Sequence, residues 1–355
     1  LAGSLNNFKK PAIRTTLSTP GLELEADMHK TEDSLIINSI KGKYLGIRFN
    51  SSGDVLFQGS QTPVFNINAH ASLSLEDVLK DLPEGPEKAL APLNLKGIVT
   101  LSADIDGHSF DWKDWRIHSE ITSPVIRIMG YKLTDFKIIG EEIFGKVKNL
   151  TLDGQFYAGT LHALGNVNLL QHNMPYDLAL NIENTDLHQF KLDSPLKMQD
   201  LNGKFFLTFI GHGSASDFKN TLSATGALSI RNGYLGEFDM FKGLLSVLND
   251  ALHLGGIMIT DVAANFTIEN QKINTEDLRL KGPTLGLLGK GWVGFDQTCD
   301  LNITVDLGSS IVPDIAHDLL QSVGVHIYDK ITAPKFKKKI SMPQVINSLI
   351  KKLWQ

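Results

Sequence analysis

The chain has 355 residues, 42% of them hydrophobic, 21% charged and 8% aromatic, with 31 glycines and a formal net charge of −5. That balance describes a folded protein built of many short strands and tight turns, and a pI near 6.1 leaves no overall basic field for a nucleic-acid partner. The single cysteine, Cys299, excludes an internal disulfide, and no apolar run reaches the roughly eighteen residues that a membrane-spanning helix needs.

In chain order, 16–28 reads as strands around Pro20-Gly21, with Leu22, Leu24 and Ala26 alternating with Glu23, Glu25 and Asp27. Strands at 34–40 and 44–49 follow, separated by Lys41-Gly42-Lys43 and followed by Ser51-Ser52-Gly53-Asp54, both read as turns. Phe65, Ile67, Ala69 and Ala71 alternate with Asn66, Asn68 and His70, and 73–79 changes to helical spacing. Pro83, Gly85, Pro86 and Pro92 mark a linker.

Beyond it Val99, Leu101, Ala103 and Ile105 alternate towards Asp106-Gly107, a hairpin signal. Further strands are expected at 116–122, 125–129, 132–139, 147–152, 160–169 and 175–182. After Pro195, Phe205, Leu207 and Phe209 lead to Gly211-His212-Gly213, and 221–230 reads as another strand. Phe241, Leu244, Leu245, Leu248 and Leu252 fall at helical spacing before Gly255-Gly256, which predicts a helix over 238–252. Strands resume at 257–268, and Leu280–Phe295 reads as strand, glycine-marked turn and strand before the alternating Leu301, Ile303 and Val305. A short helix is expected at 313–323.

The spacing of Gly42 to Gly53 recurs as Gly154 to Gly165, and Gly282 with Gly291 repeats the pattern loosely. This predicts a mainly β fold: an elongated, curved antiparallel sheet forming a groove, made of a repeated β-meander with a few short amphipathic helices. Its divisions are a first block at 1–82, a second at 83–194, a third at 195–330 and a lysine-rich amphipathic tail at 331–355. The tail carries Lys335, Lys337, Lys338, Lys339, Lys351 and Lys352 without an acidic residue. With Trp354 and the apolar stripe of Val345, Ile346, Leu349, Ile350 and Leu353, it suits an anionic membrane surface or a docking place on the body.

No constellation of catalytic or metal-binding residues stands out. The eleven histidines lack ligand spacing, and His212 between two glycines reads as a turn residue. Gly213-Ser214-Ala215-Ser216 is not a nucleophile elbow, and Asp104-Ile105-Asp106-Gly107 lacks the closing glutamate of a calcium loop. The expectation is a non-enzyme without metal or cofactor, whose long alternating strands need something to bury their apolar faces.

The segment from Thr221 to Asp306 resembles the C-terminal region of the AsmA-like family, the group of AsmA, TamB and YhdP. The resemblance rests on Ile230-Arg231-Asn232-Gly233-Tyr234-Leu235-Gly236, the predicted helix after it, Val262-Ala263-Ala264-Asn265-Phe266, Leu278-Arg279-Leu280-Lys281-Gly282-Pro283 and Gly289-Lys290-Gly291-Trp292-Val293-Gly294-Phe295-Asp296. It implies a bridge-type lipid carrier of the Gram-negative periplasm, held in the inner membrane by an N-terminal helix and supporting outer-membrane lipid homeostasis. A chain that starts at Leu1 is then expected to be a fragment without its anchor. The implied partner is a phospholipid or other acyl lipid. The implied groove lining is Val99, Leu101, Ile105, Tyr176, Leu178, Leu180, Ile182, Phe205, Leu207, Phe209, Leu301, Ile303 and Val305. The lysines and Trp354 of the tail are candidates for a membrane surface. A structural or adhesin-like repeat protein with a closed core is the alternative, and a carbohydrate-acting β-helix would need paired carboxylates of which the sequence has no sign.

Overall fold

The computed structural model describes residues 13–19, 22–44, 47–57, 62–80, 91–194, 201–234, 243–248, 258–283, 286–306 and 323–340. The fold is mainly β: nineteen strands in an antiparallel sheet that is not closed, with a few short helices. Contacts divide the chain into two compact units, one of Leu1–Phe156 and Leu161–Tyr176, the other of Tyr157–Thr160 and Asp177–Gln355. The pairing of residues 64–74 with 96–107 carries the sheet of the first unit straight across the linker at residue 83.

In the first unit the strands are β1 (Ile13–Thr19), β2 (Leu22–Lys30), β3 (Ser34–Tyr44), β4 (Ile47–Leu56), β5 (Val64–Ser74), β6 (Lys96–Gly107), β7 (Trp115–Ile128), β8 (Tyr131–Ile143), β9 (Lys146–Phe156) and β10 (Gly159–Asn168). From β1 to β9 each strand pairs with the next in the chain, in antiparallel register. Alternation of apolar and polar residues, interrupted by a few bulges, sorts the side chains onto two faces. One carries Phe65, Ile67, Ala69 and Ala71; the other carries cross-strand polar pairs such as Asn66 with Asp106 at 2.6 Å and Lys137 with Glu120 at 2.9 Å. Several hairpins close on two residues that both have positive φ, as at Met129-Gly130 and Phe144-Gly145, the backbone twist that matches paired strands.

The second unit continues with β11 (Pro175–Asp186), β12 (Asn202–Ser214), β13 (Ser223–Tyr234), β14 (Asp261–Glu269), β15 (Lys272–Lys281), β16 (Gly286–Gly294), β17 (Thr298–Asp306), β18 (Val323–Lys330) and β19 (Ala333–Ile340). The meander predicted over Leu280–Phe295 and on to Val305 is present as β15, β16 and β17.

Four expectations need correction. Lys41-Gly42-Lys43 and Ser51-Ser52-Gly53-Asp54 are not turns; they are the interiors of β3 and β4, and the Phe49 ring lies over the space a Gly42 side chain would take. His212 is likewise within β12. The lysine-rich segment begins as a strand: Lys335, Lys337, Lys338 and Lys339 lie on β19, paired with β18, because alternating Pro334 and Phe336 face inward between them. Val323 opens β18 rather than closing a helix. Helix is present at 243–248; the other residues of the predicted helix lie outside the described residues, as do 313–322, Lys351, Lys352 and Trp354.

Candidate functional site

The apolar face of the first unit is the candidate site, and strand register builds it row by row. Ser51, Ala69, Ala103, Ser119 and Gly140 stand opposite one another on β4 to β8. On one side of this row run Ile67, Ile105 and Ile117, and on the other Ala71, Leu101, Ile121 and Ile138. Small residues flanked by branched aliphatic ones make a channel floor with walls, directed across the strands. At a strand spacing of about 4.8 Å, the five positions cover about 19 Å.

Outside the walls, towards either end of the strands, this face is closed by packing. At one end the Phe65 ring covers Gly107 and meets Trp115 edge to face at 5.5 Å. At the other, Val99, Ile126, Leu133 and Phe136 form a tight cluster joined by Leu73 and Leu75. Leu75 opens the short helix Leu75–Lys80, which is held over this end because Glu76 Oε2 accepts the Gly97 amide at 2.9 Å; that bond keeps the Glu76 carboxyl below its usual range. Between these two packed regions the floor and wall residues are half-buried, and Gly140 is buried beside the Leu150 side chain.

The one carboxylate of β5 to β8 on this face is Glu142, opposite Ile117. Its Oε1 accepts the Gly145 amide, while Oε2 is buried without a hydrogen-bond partner. Desolvation pushes the carboxyl up, against the opposing pull of the Gly145 amide.

The predicted lining residues separate into three settings. Leu101 and Ile105 belong to the walls of this channel, and Val99 to the cluster packed beyond one wall. Tyr176, at the edge of the first unit, is half-buried, and burial raises its phenol. In the second unit Leu178 and Leu180 are half-buried and Ile182 is buried. Phe205, Leu207 and Phe209 face Ile230, Leu228 and Gly226 on β13. Leu207 and Phe209 pack beside Leu222, Ala224, Phe266 and Ile268.

Leu301, Ile303 and Val305 are in a different environment. They are 2–4% exposed and lie in a filled core with Leu280, Leu287, Val325 and Ile327, covered by Leu244, Leu245 and Leu248 of helix 243–248. The same alternation that suggested an open face here serves a closed one. Sequence reasoning placed in the lining neither the small floor residues Ala69, Ala103, Ser119 and Gly140 nor the wall residues Ile67, Ile117, Ile121 and Ile138. Alternation marked Ile67 and Ala69, whereas Ser119 and Gly140 carry no apolar signal and emerge only from register.

A hollow of about 390 Å³ lies elsewhere, on the polar face of β11 to β15. Phe206, Arg231, Asn265, Asp277 and Arg279 line it, with the Arg231 guanidinium 4.8 Å from the Phe206 ring centre. The Asn265 amide and side chain donate to Asp277 at 2.8 and 2.6 Å and hold its carboxyl below the usual range. Arg231, Asp277 and Arg279 give this hollow a charged rim, unlike the apolar face of the first unit.

Among the described residues there is no cluster of metal-ligating side chains and no helix long and apolar enough to cross a membrane. Set against models of known protein families and against curated proteins, the chain matches none.

Proposed function

We propose that this protein is a lipid-binding, lipid-conducting β-trough of AsmA-like type. In this reading it works in the periplasm, attached to the inner membrane, and supports outer-membrane lipid homeostasis. The observation that carries the proposal is the row Ser51, Ala69, Ala103, Ser119 and Gly140 between aliphatic walls, the first four half-buried and outside the core clusters. An acyl chain needs continuous apolar surface and gains about 0.8 kcal/mol per buried CH₂, so no specific polar residue is required. The resemblance of Thr221–Asp306 to the AsmA-like family points the same way and supplies the compartment.

The test is solvent extraction of lipid from protein purified from a Gram-negative host, with mass spectrometry of the extract. Phospholipid in stoichiometric amount is expected. Protein that is folded, monodisperse and free of lipid would overturn the proposal.

A second reading, a structural repeat protein with a closed core, is favoured by one observation: the core of Leu244, Leu248, Leu287, Ile303 and Val305 in the second unit is filled. It predicts that bulky substitutions at Ala103 destabilise the fold, whereas the trough predicts that they displace lipid.

A further inference from the structure

The outer face of the second unit carries a second set of aligned residues, opposite the filled core. Register places Lys337, His326, Asn302 and Lys290 in one row across β19, β18, β17 and β16. The next row on one side is Lys335, Tyr328, Asp300 and Trp292, and on the other Lys339, Gly324, Thr304 and Leu288. Lys290, Lys337 and Lys339 are exposed, and Leu288 is 42% exposed between them.

The acidic groups nearby are already engaged. Asp300 meets His326 Nε2 at 3.0 Å, and Asp329 pairs with Lys335 at 2.7 Å. The Lys339 ammonium donates to Asn302 Oδ1, a neutral partner. Among the described residues no carboxylate lies within ion-pair reach of Lys290, Lys337 or Lys339, although Asp300 and Asp306 share the face. Tyr328 stacks on His326 at 5.1 Å, and Lys272 sits over the Trp292 ring at 3.7 Å, which holds two aromatic rings beside the lysines.

We infer that this face of β16 to β19 docks on an anionic phospholipid surface. Charge complementarity identifies the occupant, and the mixture of lysine with Trp292, Tyr328 and Leu288 favours a bilayer interface over an acidic protein. The inference gives a membrane contact to the proposed lipid carrier and rests on that reading only for its purpose, because vesicle binding does not require bound cargo.

The test is co-sedimentation of the full chain with vesicles of phosphatidylcholine alone and with vesicles of phosphatidylcholine and phosphatidylglycerol in equal parts. Binding to the anionic vesicles alone is expected, weakening as salt rises. Replacing Lys290, Lys337 and Lys339 together by alanine should cut the affinity on the order of a hundredfold, since each lysine near an anionic surface is worth about a fivefold factor. Lys338 supplies an internal control, because it lies on the same strand but points to the opposite face, across from Val325. Lys338→Ala removes the same charge as Lys337→Ala and should weaken binding less. Equal binding to both vesicle types, or equal losses from Lys337→Ala and Lys338→Ala, would overturn the inference. Lipid extraction from the triple variant reports on the trough independently, so failure of docking and failure of the carrier function are distinguishable.

Discussion

Ala103 on β6 stands directly opposite Ser119 on β7, and neither side chain reaches as far from the sheet as the isoleucines beside it. A phenylalanine at Ala103 would fill the channel between Ile105 and Leu101. Because Ala103 is half-buried and outside the core clusters, the trough reading expects Ala103→Phe to change unfolding free energy by less than about 1 kcal/mol. Lipid recovered per mole of protein should fall several-fold. Denaturant unfolding and extraction on the same sample check both, and a large loss of stability with unchanged lipid would place Ala103 in a closed core.

Leu248, at 1% exposure, covers the core of the second unit together with Leu244. Leu248→Ala leaves a cavity that packed strands cannot collapse into, at a cost of about 2–5 kcal/mol. Urea denaturation should show the loss. Lipid content of the first-unit trough should not follow it if the two units unfold separately.

Glu142 provides a pH-dependent test with a defined sign. Its folded-state carboxyl is raised by desolvation, so the charged form is disfavoured in the fold. Below the unfolded value near 4.5 both states are protonated and the handicap is absent; it grows as pH rises through the folded value. Glu142→Gln keeps an acceptor for the Gly145 amide and should therefore be more stable than the parent at pH 7. The difference should vanish in thermal melts taken below about pH 4.5.

Ala158 has φ of +60° and Tyr157 of +47°, in the turn between β9 and β10. The tyrosine is retained by its side chain, which donates to Asp193 at 3.0 Å and meets Phe190 edge to face at 5.5 Å. Among the described residues no comparable side-chain contact holds Ala158, which is exposed. Ala158→Gly should relieve left-handed strain and raise stability by about 1 kcal/mol, measured by chemical denaturation. No gain would mean that the added freedom of glycine in the unfolded chain cancels the relief.

These turns show where the sequence was legible. Alternation located nearly every strand, because a face that must be apolar leaves a period of two whatever the tertiary context. Glycines were less informative. Gly291 looks like a turn residue but lies in mid-strand with φ of +139°, where any side chain would run into the Asp300 carbonyl; the true turn at Tyr157-Ala158 has no glycine. Lys335–Lys339 read as part of a lysine-rich tail because charge hides the strand period, and only Pro334 and Phe336 mark the inward side. Which apolar faces are open and which are filled was not readable at all. Leu101 and Ile303 have the same local pattern, and only the placement of helix 243–248 tells them apart.

Within β1 to β9 every strand finds its partner immediately before or after itself in the chain. Such a sheet can assemble progressively, hairpin on hairpin, as the chain emerges, with little loop entropy lost at any step. The same arrangement works as a ruler. Inserting or deleting one hairpin would change the span by about 10 Å while leaving every other pairing intact, so the distance such a sheet covers can be adjusted without redesigning what lies at either end.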